Sequence, residues 1–198
     1  MTLLDPTPTW GSFGELAEVA SGCTKCPLAA TRTQVVFGVG DRHADLVFVG
    51  EGPGAEEDRQ GIPFVGRAGQ LLTRLIEGIG LGRDEVYICN VVKCRPPGNR
   101  DPLPPEIDAC RPYLEAQLDF LEPRVVVTLG NFATKLLLDT KVGITKLRGQ
   151  EHPFRAGRAV LIPTLHPAAV LRTGGTALAQ ARADFVLVKR ALARPRRA

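Results

Sequence analysis

The chain contains no run of about 18 consecutive apolar residues and no leader passing from charged to apolar residues. Neither a membrane span nor a signal peptide is therefore expected, and the cytoplasm is the expected location. Internal repeats are also missing, which removes solenoid and propeller architectures. Methionine occurs once while proline and arginine are abundant, a composition that suits a thermophile.

What is present fits one α/β domain spanning residues 1–198, with a basic tail at about 194–198 expected to fray. The formal net charge is +4, carried mostly by arginine, which binds phosphate through a planar, bidentate fork. That is a mild pointer to a nucleic-acid partner, although ordinary solvated faces account for the charge equally well.

Cysteine is the most informative residue type. Cys23 and Cys26 form a Cys-x-x-Cys pair, and Cys94 and Cys110 arrive far along the chain, each followed by arginine and proline. Four thiolates gathered from such separate segments are enough to hold zinc or an iron-sulfur cluster, and without a secretion signal metal is the better reading than disulfides. Cys94 and Cys110 are too far apart to form a second zinc knuckle, which leans the choice toward a cluster. Cys89 lies inside the apolar run Val86 to Val92 and reads as a buried core thiol.

Four short apolar runs, Leu46 to Val49, Val86 to Val92, Val125 to Leu129 and Ala159 to Ile162, are continuous rather than alternating. Such runs read as strands buried on both faces, with helices covering each side. Leu71, Leu72, Leu75, Ile76 and Ile79 recur at helical spacing, giving a helix over Gly66 to Ile79 closed by Gly80. Ser12 and Glu15 form a capping-box pattern ahead of a first helix that ends before Cys23. Pro105 and Pro112 point to a kinked or two-part helix up to Leu121, Asn131 is expected to cap Phe132 to Leu138, and a last helix covers Thr176 to Ala193. The fold class is therefore α/β, a three-layer α/β/α sandwich around a mostly parallel four-stranded sheet.

In sheets of this kind the binding crevice lies beyond the carboxyl ends of the strands. Those ends carry Gly50-Glu51-Gly52-Pro53-Gly54, then Asn90, then Gly130-Asn131, then His166-Pro167. A glycine turn lets a ligand approach backbone closely, and Glu, Asn and His are directional polar groups. The turn is not Gly-x-Gly-x-x-Gly, so it fails as a dinucleotide fingerprint.

The stretch Gly50 to Asp58, the stretch Gly61-Ile62-Pro63-Phe64-Val65-Gly66, then Asn90-Val91-Val92-Lys93-Cys94 and His166-Pro167 closely resemble the family 4 uracil-DNA glycosylases of thermophilic bacteria and archaea, in order and over nearly the whole chain. The resemblance implies a uracil-DNA glycosylase-like fold and a monofunctional base-excision enzyme that hydrolyses the N-glycosidic bond of deoxyuridine and leaves an abasic site. It implies a [4Fe-4S] cluster on Cys23, Cys26, Cys94 and Cys110. The expected partners are uracil-containing single- or double-stranded DNA, with free uracil as product, no membrane, and a monomeric protein.

The residue chemistry agrees with that resemblance. Uracil inside a duplex must be flipped out, at a cost of a few kcal/mol. Phe64 offers a face for stacking, worth about 1–3 kcal/mol. Asn90 can donate to uracil O4 and accept from N3–H, a pattern that cytosine reverses. His166 can donate to O2 as negative charge develops there, and the backbone of Gly50 to Gly52 can hold other ring atoms. Family 1 relatives carry an aspartate and a tyrosine where this chain has Gly52 and Gly54, so another group must orient water. Glu51 is the candidate, with holding uracil or excluding the methyl group of thymine as its alternative role. Catalytic roles are thus expected for Glu51, Asn90 and His166, and substrate contacts for Gly50, Glu51, Gly52, Phe64, Asn90 and His166. For DNA, Val170 or Leu171 is the expected wedge, with Arg172 and Arg100 on phosphates and Lys93 and Arg95 beside them. No lysine is placed as a Schiff-base nucleophile, which argues against a lyase step. Competing readings are a non-catalytic metal protein that binds nucleic acid or carries electrons, and a glycosylase of wider base range as in family 5.

Overall fold

A computed structural model describes residues 10–195. Six strands form one sheet in the order β1-β3-β2-β4-β6-β5. The strands are β1 Val39–Gly40, β2 Leu46–Gly50, β3 Tyr87–Asn90, β4 Val125–Leu129, β5 His152–Phe154 and β6 Ala159–Thr164. The inner four, β3-β2-β4-β6, are parallel and coincide with the four apolar runs. Two short antiparallel edge strands, β1 and β5, make the sheet six-stranded rather than four-stranded. These edges are two and three residues long and include glycine or proline, so no apolar run betrays them.

Alternate side chains on each inner strand enter opposite cores. Leu46, Phe48, Ile88, Val125, Val127 and Ile162 face one side, where α3 Arg67–Glu77, α7 Pro167–Thr173 and α8 Gly175–Leu192 pack. Val47, Val49, Tyr87, Cys89, Val126 and Leu161 face the other, against α4 Pro104–Leu121 and α5 Asn131–Leu137. Burial on both faces is why these runs show no polar alternation. Each fully buried side chain of this kind contributes about 1.5–3 kcal/mol.

In α1 Phe13–Ser21 the Ser12 hydroxyl accepts from the Glu15 amide, while the Glu15 carboxylate reaches back one residue further than in a capping box, to the amide of Gly11. Leu16 and Ala20 of this helix pack on Tyr113 of α4. The helix over Gly66 to Ile79 proves shorter, Arg67–Glu77, with Gly78 at its C-cap. Of the kinked or two-part helix expected here, the two-part form is ruled out: α4 is one helix with Pro112 inside it. Pro104 and Pro105 occupy the first turn, where an N–H has no helical partner, and the exposed Asp108 carbonyl, which Pro112 leaves unbonded, can meet solvent. Asn131 opens α5 as its first residue rather than capping it; Gly130 is the cap, and the Asn131 side chain accepts from the amide of Ile144. Of the tail expected to fray, Arg194 pairs with Glu151, and residues 196–198 lie outside the described residues. No helix among the described residues is long and apolar enough to cross a membrane.

Candidate active site

The carboxyl ends of β2, β3, β4 and β6 open into a cleft of about 1350 Å³ lined by Glu51, Phe64, Asn90, Gly130, His166 and Arg172, among others. The glycine turn, the asparagine and the histidine, separate in sequence, therefore share one cavity.

At its floor, Gly50 is the register partner of Asn90 across the β2/β3 pair. A methyl group on Gly50 would collide with Asn90 Oδ1 and stand 2.7 Å from Phe64 Cζ, so the bare glycine keeps open the point where amide and ring converge. Asn90 is 1% exposed, and its Oδ1 has no hydrogen-bond partner among the described residues. A buried amide oxygen left unpaired costs roughly 1–3 kcal/mol, which a ligand N–H placed there recovers.

Phe64 sits in the connection between α2 Ala55–Gln60 and α3, with φ of 55°, a conformation that costs a phenylalanine energy. Its loop is over-determined. Glu57 Oε1 accepts from the amides of Val65 and Gly66 at 3.1 and 3.3 Å. Arg83 donates to the Pro63 carbonyl at 2.6 Å, and the Phe64 backbone presses so closely on Gly69 of α3 that no side chain fits there. The Phe64 and His166 rings lie 5.8 Å apart, tilted by 35°.

His166 caps α7: its Nδ1 accepts from the Ala168 amide at 3.1 Å. The cap fixes the tautomer, because an accepting Nδ1 puts the proton on Nε2. Burial, followed by the nearby Arg172 guanidinium, pushes the imidazole down to about 4, against a weaker upward pull from Glu57. The ring is neutral at physiological pH, and Gly130, with φ of +95°, packs beneath it where a side chain would strike its Cβ at 2.9 Å.

Glu51 faces Asp101. Burial first, then the Asp101 carboxylate, raises the Glu51 carboxyl to about 7. Two carboxyl groups sharing one site hold one proton between them more readily than two charges.

A second pocket, lined by Cys23, Cys26, Cys94 and Cys110 together with Leu28, Val92 and Tyr113, joins the loop after α1, the loop after β3 and α4. All five cysteines are free, and Cys89 lies apart, fully buried in β3. Among the described residues no three His, Cys, Asp or Glu groups converge as they do around a single metal ion. Four free thiols lining one small, largely apolar space are a donor set that fits zinc or an iron-sulfur cluster. Hydrogen-bond donors are in place around them. Arg32 donates to Cys94 Sγ at 3.4 Å and to the Cys23 carbonyl at 2.7 Å, and the Lys93 amide donates to Cys110 Sγ at 3.2 Å.

The residues expected to meet DNA divide. Arg172 and Leu171 are exposed. Val170 is 2% exposed and belongs to the core beneath α7, so it is no wedge: the segment after His166 is a helix, and Val170 lies on its inner face. Lys93 is also buried, its ammonium bonded to the Asn90 carbonyl at 2.7 Å and to Gln117. Arg100 forms a bidentate pair with the buried Glu106 carboxylate, and Arg95 donates to Asn99 Oδ1 at 2.8 Å. Lys135, Lys141 and Arg111 line the cleft without having been singled out in the sequence, where they read as ordinary surface cations. Glu57 was likewise missed; an acid in the first turn of a helix has an ordinary explanation of its own.

The model of the uracil DNA glycosylase superfamily matches residues 37–189. A type-4 uracil-DNA glycosylase of Thermotoga maritima is 52% identical over 163 residues, covering 80% of this chain and 84% of that protein. A type-4 uracil-DNA glycosylase of Sulfurisphaera tokodaii is 48% identical over 168 residues, covering 81% and 76%. A type-5 uracil-DNA glycosylase of Thermus thermophilus is 34% identical over 178 residues, covering 74% and 79%.

Proposed function

The chain belongs to the uracil DNA glycosylase superfamily, and on that premise we propose how its cleft removes uracil from DNA. It is a monofunctional uracil-DNA glycosylase, a DNA-repair hydrolase that cleaves the N-glycosidic bond of deoxyuridine and leaves an abasic site. The observation that carries the proposal is the buried, unpartnered Oδ1 of Asn90 beside the space over Gly50 and the Phe64 ring.

A flipped uracil enters over Gly50 and stacks on Phe64, where Asn90 Oδ1 accepts from N3–H and the Asn90 amide donates to O4. Cytosine has no proton on N3 and an amino group in place of O4, so it leaves both Asn90 groups unpaired, at about 1–3 kcal/mol each. As the glycosidic bond breaks, charge gathers on O2, and the neutral His166 donates from Nε2. An imidazole already neutral loses no proton when it donates, so its role is electrophilic throughout the working pH range. Glu51, once deprotonated, orients the attacking water and takes its proton. Arg172, Lys135, Lys141 and Arg111 supply cations for phosphates along the cleft, and the exposed Leu171 is the candidate to fill the vacated stack.

Cys23, Cys26, Cys94 and Cys110 would hold a [4Fe-4S] cluster. That group would tie the loop after α1 to α4 and to the turn that follows Asn90, a structural role.

Incubation with oligonucleotides carrying uracil, hypoxanthine or thymine opposite guanine, followed by alkali, tests the proposal. Strand breaks only at uracil are expected; breaks at hypoxanthine or thymine would favour a glycosylase of wider base range, and none at all would refute it.

A further inference from the structure

Among the described residues Lys93 is the only lysine or arginine that is buried, at 2% exposure. Burying an ammonium is costly unless it is fully bonded, and a methionine of similar length would fill the same space without that cost. The charge therefore points to a task. Its Nζ donates to the Asn90 carbonyl at 2.7 Å and to Gln117 Oε1, and stands 5.9 Å from the centre of the Phe37 ring. Gln117 is in turn fixed by donating to the Phe37 carbonyl at 2.9 Å and to the Tyr87 hydroxyl at 3.2 Å. The Lys93 backbone points the other way: its amide donates to Cys110 Sγ, while its carbonyl accepts from Val36 at 2.8 Å.

β3 ends at Asn90, and the four residues 91–94 after it form no regular element. The Asn90 carbonyl is therefore the last of the strand, and the ladder no longer dictates its direction. The Val91 and Val92 amides bond Gly50 and Glu51, which secures the turn on the β2 side. Lys93 secures it from below.

We propose that Lys93 is a positioning residue for the amide that reads the base. Its ammonium fixes the Asn90 peptide, and its own backbone ties that fix to Cys110, so the aim of the Asn90 side chain depends on the cysteine pocket. The inference rests on the function proposed above for Asn90. It gives the four cysteines a specific mechanical output at the cleft, beyond general stabilisation.

The test is Lys93→Met in the full chain with its cysteine-bound group in place, checked by visible absorbance and melting. Two readouts follow. In a crystal structure of the variant, the Asn90 carboxamide is expected to leave its position over Gly50 or to occupy two positions. In single-turnover excision from a uracil-containing strand, the maximal rate is expected to fall about 10²-fold, the scale of a misplaced catalytic group, with the half-saturating enzyme concentration unchanged. A merely structural lysine would lower melting and leave that split unmoved. An Asn90 amide that keeps its place, or a maximal rate equal to wild type, overturns the proposal. If the wild-type protein excises nothing, the reading of the function fails, while the position of Asn90 still decides this one. Should Lys93→Met not fold, Lys93→Leu, which likewise removes the donor, gives the same two readouts and is judged by the same outcomes.

Discussion

Gly50 and Asn90 stand opposite each other on the parallel strands β2 and β3, and the absence of a Cβ on Gly50 leaves the Asn90 carboxamide and the Phe64 ring facing one shared space. Gly50→Ala places a methyl group in that space, against Asn90 Oδ1 and 2.7 Å from the ring. Overpacking of this kind costs about 1–3 kcal/mol of stability. The larger expected effect is on chemistry: single-turnover excision of uracil falls by about 10²-fold or more, while affinity for a uracil-free strand, measured by fluorescence anisotropy, stays within about twofold.

The excision rate is expected to rise with pH through a midpoint near 7, because Glu51 must lose its proton to act and burial beside Asp101 holds that carboxyl at about 7. Asp101→Asn removes the second-largest cause and moves the midpoint toward acid, yet keeps it above 4.5 because burial is the first. Glu51→Gln lowers the rate more than about tenfold and flattens the profile. The stability sign is opposite to that of activity. A carboxyl raised in the fold holds a proton the unfolded chain has released, so its contribution is fully present below 4.5 and is lost as pH rises through 7. Urea titrations at several pH values check that second sign.

His166 yields no activity step near its ordinary value of 6.5, since the partly buried imidazole titrates only at about 4. Its lowered value means the unfolded chain takes up a proton first, so its share of stability is present above 6.5 and is lost as pH falls toward 4. His166→Ala should cost about 10²–10³ in maximal rate, the loss of one donor to a developing anion.

Arg172 and Arg100 both line the cleft, but Arg100 is paired with Glu106, so the two should behave differently when neutralised. Arg172→Ala removes a cleft cation and lowers the slope of log affinity against log salt by about 1. Arg100→Ala instead strips the guanidinium from the buried Glu106 carboxylate, whose remaining partner is the Leu103 amide. Its expected signature is a lower melting temperature, with little change in salt slope. Melting curves and salt titrations of both variants decide the point.

Cys23→Ala should abolish visible absorbance and lower the melting temperature, because Cys23 follows α1 and the bound group would join that segment to α4. Absorbance that persists at wild-type intensity would remove Cys23 from the ligand set.

The inner strands were legible because burial on two faces writes an uninterrupted apolar run, whereas β1 and β5 are too short to write any pattern. Gly50, Asn90 and His166 could be selected by a topological rule, since Gly50 and Asn90 close parallel strands and His166 follows two residues after a third. Phe64 could not: it lies in a loop at positive φ, held by Glu57 and Arg83, and only the family resemblance singled it out. Val170 and Lys93 misled for one shared reason. Sequence proximity to His166 and Cys94 made them look exposed, but the helix after His166 turns Val170 inward, and the turn after Asn90 folds Lys93 beneath the strand end.

The central claim is that Phe64, Asn90 and His166 act together on one everted uracil. It is tested most directly by the single-turnover rate of uracil release from a single strand by wild type, Phe64→Ala, Asn90→Ala and His166→Ala, each with unchanged visible absorbance and melting. The account expects rapid release by wild type and losses of about tenfold or more for each variant. Release at the wild-type rate by all three variants would contradict it.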